Sequence, residues 1–381
     1  MSEYQYYEFQ AIDRPLTADE MATLRHYSTR ARITPTSFVN EYHWGDFKGD
    51  TDAWMAKYFD AFLYLANWGN RIFKLRLPSR FLPSDATQLY CDGDCFAARH
   101  KGDHVVLTYD LEEEPGDEWE EGSGQLAALV PVRAELARDD RRALYLGWLL
   151  GVQHGACGSD TPEPPVPPGL GQLSASLVSL VEFLRIDRDL VAVAAEASGS
   201  SSGAPPVVAD IASWFATQPV RDKDEWLARL VLGDDPALPA ELLQRYLAER
   251  APSALPTTGS AQCRTAGELL RAAGVRRNER SRIAADKTAV EKARHEREAA
   301  AARARHLDSL AGREPQLWRE IDELVGTRLA KNYDHAVQLL GDLRDLAARD
   351  DSAGFQMQLA ALRNAHARKP SLLARLQQAD L

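Results

Sequence analysis

From Thr265 to Leu310 the chain carries eleven Arg or Lys and seven Asp or Glu set among Ala-rich stretches. The only large apolar residues between Val275 and Leu307 are Ile283 and Val290. Ala, Arg, Lys and Glu favour the helix, so this segment reads as one long helix, and its pattern is too polar to bury a wide face. A helix of this kind gains little from a core of its own and looks outward for contacts.

At 381 residues the chain is long enough for two or three domains with proper interiors. Four Cys, at 91, 95, 157 and 263, are too few and too scattered for a disulfide framework and point to a reducing compartment. The opening MSEYQYYEFQ lacks the basic-then-apolar order of a signal peptide, and no apolar run approaches the roughly 18 residues of a membrane span. The expectation is a cytoplasmic protein with no membrane partner. Its formal charge of −11 is unevenly spread, since residues 264–381 hold 22 bases against 17 acids. The two parts of the chain should therefore attract, and docking of the basic helix on acidic parts of the same chain competes with any nucleic-acid reading.

Aromatic and β-branched residues in YQYYEFQAI (4–12) predict a strand, and Thr17 with Glu20 forms a capping box for the helix that follows. An extended segment over 33–44, bent at Pro35, a helix near 52–60 and extended stretches at 61–68 and 71–77 come next. A hairpin over 94–100 and 104–111 turns at Lys101-Gly102-Asp103. This is an antiparallel α+β layer, with the ferredoxin-like split β-α-β as a candidate topology. The segment 112–124 has seven acids and no base and reads as a solvated loop. Helices are expected at 125–137 and 141–152, the second apolar nearly all round and so the core helix.

The predicted organisation is an α+β domain over 1–156, a Pro-rich connector over 157–172, and a helical block over 173–250 with a flexible linker at 198–206. A second linker at 251–263 leads to the long basic helix at 264–311 and a C-terminal helical array at 312–381. In that array, helices are expected over 314–326, 332–349, 353–367 and 370–378.

Three constellations carry candidate chemistry. Cys91, Cys95, His100 and His104 have a C-x3-C-x4-H-x3-H spacing close to that of a zinc knuckle, and would supply four ligands to one ion; the competing reading is a hairpin with ordinary Cys and His. Asp46-Phe47-Lys48, with Asp13 or Glu41, could mimic the acids and lysine of a metal-dependent nuclease, although GDFKGD also reads as a charged turn. Finally, Arg276, Arg277, Arg280, Arg282, Lys287, Arg294, Arg297, Arg303 and Arg305 could follow a phosphate backbone or an acidic partner. No aromatic is interleaved among them, and Glu291, Glu296 and Glu298 invite pairs within the helix. Walker, GxGxxG and H-E-x-x-H signatures are missing from the sequence, and its G-x-S-x-G string, at 199–203, falls in the Ser- and Gly-rich linker.

The phrases YQYYEFQAIDRPLT, SFVNEYHWGDFKGD and ALYLGWLLGVQ resemble an uncharacterised bacterial family. YDHAVQLLGDLRDLAARDD (333–351) and ALRNAHARKPSLLARL (361–376) are similar to the tail of some bacterial SWIM zinc-finger proteins, although the C-x-C and C-x-H pattern of the SWIM motif is absent here. The resemblance implies association with nucleic-acid-related or defence machinery. The expected function is a non-enzymatic adaptor or scaffold that binds another protein, with the long helix, about 70 Å at 1.5 Å per residue, as a spacer. The alternatives are a nucleic-acid-binding accessory protein and a metal-dependent hydrolase or nuclease, the latter with zinc or another divalent ion as its cofactor.

Overall fold

The computed structural model describes residues 4–113, 121–199, 208–233, 237–250, 263–349 and 354–381. Most of the acidic loop and of the two expected linkers lies outside these residues. Two compact units are present, residues 1–279 and 280–381.

The first unit begins with β1 (Gln5–Gln10), α1 (Ala18–Arg25), β2 (Arg32–Thr34), β3 (Ser37–Tyr42), α2 (Thr51–Lys57) and β4 (Ala61–Ala66). These four strands lie in the order β2-β3-β1-β4, and each neighbouring pair is antiparallel. That is the ferredoxin-like order. Thr17 caps α1 through the expected box with Glu20. The extended segment expected at 33–44 is instead a hairpin. Pro35-Thr36 turns the chain, and Thr34 pairs with Ser37, which places β3 beside β1.

Three more strands widen the sheet beyond β4. They are β5 (Arg71–Pro78), β6 (Phe96–Lys101) and β7 (His104–Leu111), in the order β4-β5-β7-β6, with α3 (Ser84–Gln88) between β5 and β6. Alternation along the strands separates two cores. Tyr7, Phe9, Phe38 and Phe62 join Leu24 of α1 and Trp54 and Met55 of α2. Leu63, Phe73, Leu75, Phe96, Leu107 and Tyr109 point the other way, into the larger core.

That larger core is covered by α4 (Gln125–Leu129), α5 (Pro131–Leu136), α6 (Arg142–His154), α7 (Ala175–Phe183) and α8 (Arg188–Ala195). The helix expected at 125–137 is two short ones, because Pro131 has no amide to continue the first and instead opens the second. Every residue of α6 from Ala143 to Val152 is buried. Its Gly147 and Gly151 lie one turn apart, and a Cβ there would come within 2.5 Å of the Phe96 ring and 1.8 Å of Asp92 Oδ2. Glycine is what allows the helix so close an approach to the residues around the start of β6. Helices α7 and α8, assigned from sequence to a separate block, share this core with the sheet.

A smaller cluster of Trp214, Trp226, Leu238, Leu242 and Tyr246 unites α9 (Val208–Thr217), α10 (Val220–Leu232) and α11 (Leu238–Arg250). The long helix is α12 (Ala266–Leu310). Ala266, Leu269 and Ala273 bury its start in the large core. Arg264 clasps the connector there: its Nε and Nη2 each lie 2.7 Å from the Glu163 carboxylate, which also accepts from the Tyr145 hydroxyl.

In the second unit, Leu307 and Leu310 of α12 pack with α13 (Glu314–Gly326), α14 (Ala330–Arg349), α15 (Gly354–Ala365) and α16 (Pro370–Gln378). Ile321, Ala336, Leu340 and Leu372 are fully buried in this helical array. No helix among the described residues is long and apolar enough to cross a membrane.

Candidate functional site

Beyond the cover of α2, the sheet face opposite the large core is open over β5, β7 and β6. The register lays its side chains in rows across the three strands. Lys74 pairs with Thr108, which pairs with Ala97; Arg76 with Val106 and Arg99; Pro78 with His104 and Lys101. Each strand keeps its apolar positions for the core and sends Lys74, Arg76, Arg99, Lys101, His104, Thr108 and Asp110 to the other face. The result is a trough of two adjoining concavities, of about 580 and 600 Å³, that share Asp52, Arg99 and Thr108.

Asp52, in the first turn of α2, organises the middle of the trough. Its carboxylate accepts from the Lys74 ammonium and, at 2.9 Å, from Arg99 Nη1. Lys74 also donates to Thr51 Oγ1 at 3.1 Å. Burial works against the charge on Asp52, but Lys74 and Arg99 outweigh it and hold the pKa below the usual carboxylate value. Lys74 is nearly buried, whereas Arg99 is 74% exposed. The floor is therefore fixed, and the rim is accessible.

The ends of the trough differ in charge. One is lined by Asp94, Asp110 and Glu112, and the other by Arg76, Lys101 and His104 together with Asp50 and Asp103. Burial raises the pKa of Asp110 despite the nearby Lys74, and burial followed by Arg76 lowers that of His104. Arg76 is held from below by Asp60, which accepts from its Nε at 3.0 Å and its Nη2 at 2.7 Å. Asp60 also accepts from the amides of Ile12 and Asp13 at 2.7 and 2.9 Å.

The residues singled out from sequence are distributed otherwise. Cys91, Cys95, His100 and His104 do not gather into a metal site: no group of three or more His, Cys, Asp or Glu among the described residues could hold an ion. Cys91 donates to the Thr87 carbonyl at 3.4 Å, His100 Nε2 lies 3.3 Å from Thr87 Oγ1, and His104 lines the trough. Burial, then Asp92, pushes the Cys95 thiol up to about 11. Hairpin geometry keeps Cys95, at the open end of β6–β7, away from His100 and His104 at its turn end, while Cys91 and His100 both contact Thr87 and His104 faces the trough.

The nuclease-like set is also separated. Asp13 follows the C-terminal end of β1, while Asp46 follows β3, whose last residue Tyr42 pairs with Gln5 at the other end of β1. The two acids therefore lie at opposite ends of a six-residue strand, about 20 Å long. Asp13 is bound to Arg133 at 2.6 Å, and Asp46 accepts from the Tyr7 hydroxyl at 3.0 Å and the Phe47 amide at 2.7 Å. Glu41 pairs with Tyr6 in the sheet, and Lys48 lies in the turn that brings Phe47 against Tyr7.

On α12 the nine cations fall into groups. Arg276 approaches Asp189 at 3.8 Å and Glu196 at 3.6 Å, and Arg277 is paired with Asp187. The start of the helix thus docks on acids around α8. Arg294 is paired with Glu298 at 2.8 Å, and Arg303 with Asp342 and, at 2.5 Å, Asp345. Arg280 and Arg282 are exposed and interact with neighbours. Lys287, Arg297 and Arg305 are exposed as well.

No protein-family model, curated protein or solved structure matches the chain. Of the trough residues only Cys95 and His104 were singled out in the sequence, as candidate metal ligands, yet a signal for the others is there. RIFKLRLP and HVVLTYDL each alternate apolar with polar residues, and both strands belong to one antiparallel sheet.

Proposed function

We propose that this protein is a non-catalytic adaptor that holds a charged segment of another protein in the trough over β5, β7 and β6. The observation that carries this reading is the mixture of charge along the trough, from Asp94, Asp110 and Glu112 at one end to Lys101 beside Asp50 and Asp103 at the other, with Arg99 exposed between them. An extended peptide bearing both signs of charge matches such a surface. Lys74 and Asp52 fix each other before any partner arrives, which lowers the ordering cost of binding. Nucleic-acid-related or defence machinery is the setting that the resemblance implies.

A tagged full-length protein and its Arg99→Glu/Lys101→Glu variant, purified from native lysate after nuclease treatment, test the reading. A protein that co-purifies with the first and is lost with the second supports it. An unchanged set of partners refutes it. Contact of α12 with nucleic acid is the second reading, favoured by the exposed Lys287, Arg297 and Arg305. It requires a binding constant that falls steeply with salt and a slope that flattens when these three are replaced.

A further inference from the structure

The exposed part of α12 carries a regular seam. Ile283, Asp286, Val290, Ala293, Arg297, Ala300, Ala304 and Leu307 follow one another at steps of three and four residues. This is the seven-residue repeat by which two helices pack along their length. Leu307 is used by the core of the second unit, but Ile283 is 59% and Val290 69% exposed. Asp286 and Arg297 interrupt the seam with opposite charges, and among the described residues neither has an ion-pair partner.

We propose that this seam binds the same seam of a second copy of this chain, in antiparallel orientation, about a two-fold axis between Glu291 and Lys292. Such an axis sets Val290 opposite Ala293 and Ile283 opposite Ala300 of the second copy, so that each large residue faces a small one. It also sets Asp286 opposite Arg297, and symmetry makes that pair twice. A parallel pairing would instead stack Asp286 on Asp286 and Arg297 on Arg297, which repels at both positions. The charge pattern therefore selects the orientation as well as the partner. Arg294, which approaches Lys287 of the second copy, is already neutralised by Glu298 at 2.8 Å.

Sedimentation equilibrium of the full-length protein over micromolar concentrations tests this. The expected mass rises toward twice the 42.2 kDa of one chain. Asp286→Arg and Arg297→Asp should each weaken the dimer by about 10-fold or more, and the double exchange should recover most of the loss. Both positions are exposed, so circular dichroism should show each variant folded. A monomer at every concentration overturns the proposal. A dimer that the single variants leave unchanged, or that the double exchange does not rescue, overturns it too.

Discussion

Replacing Asp60 by Ala removes the anion on which one end of the sheet is organised. Asp60 is 1% exposed and accepts four hydrogen bonds, two from Arg76 and two from the amides of Ile12 and Asp13. Its loss leaves a nearly buried guanidinium without its direct ion-pair partner and two amides without an acceptor. Breaking a buried ion pair from one side costs about 3–5 kcal/mol, against a total stability of about 5–15 kcal/mol for a domain. The remaining bond from Arg76 Nη1 to the Ala56 carbonyl, at 3.1 Å, and the nearby Asp13 carboxylate keep the cost inside that range. Asp60→Asn retains an acceptor for the amides and should cost about half as much.

The pH dependence has a definite sign. Burial opposes the charge on Asp60, but Arg76 and the two amides outweigh it and depress the pKa. The stability it contributes is therefore present above the ordinary carboxylate pKa and is lost as pH falls through the depressed folded value. Asp13 behaves oppositely: burial raises its pKa despite Arg133, so its ionisation opposes folding, and protonation on acidification relieves that. The difference between wild type and Asp60→Ala should thus shrink at the acid end. Hydrogen exchange of the β1, β4 and β5 amides reads this unit locally, as a chain with two compact units need not unfold in one step. A loss below about 1 kcal/mol at neutral pH, or a difference that grows on acidification, would refute the argument.

Two further outcomes follow from the same geometry. Arg264→Met leaves the buried Glu163 carboxylate with the Tyr145 hydroxyl as its remaining side-chain partner, and should cost about 3 kcal/mol. Exchange protection of the Ala266 and Gly267 amides, each bonded at 2.9 Å to the connector, should then fall about 100-fold; unchanged protection would show that the clasp does not hold α12. Burial raises the Cys91 thiol and pushes Cys95 and Cys157 up to about 11, whereas Cys263 is exposed. Maleimide at neutral pH should label Cys263 well before the other three, and peptide mapping that finds Cys95 labelled first would contradict the burial argument.

Local features were legible in the sequence. The capping box at Thr17 and Glu20, the bounds of α13 and α16, and the burial of α6 follow from short-range patterns, because a few neighbouring side chains decide them. The hairpin of β2 and β3 was less so. A two-residue turn at Pro35-Thr36 and one bent strand look alike until β1 offers β3 a partner. The trough was hidden for a similar reason. Lys74, Arg99 and Asp52 stand on three separate elements, and no spacing along the chain records that they meet.

The sequence by itself determined an antiparallel α+β layer, a long charged helix and a helical tail, since hydrophobic period and helix-favouring composition are properties of consecutive residues. Only the tertiary structure decided which acids and bases meet. Asp13 and Asp46 are carried to opposite ends of β1, the Cys and His of one hairpin are kept apart, and Asp52 is brought over Lys74 and Arg99. Strand order and register make those choices, and they are fixed by the burial of Phe9, Phe38, Phe62, Phe73 and Tyr109 in two cores rather than by the charged residues themselves.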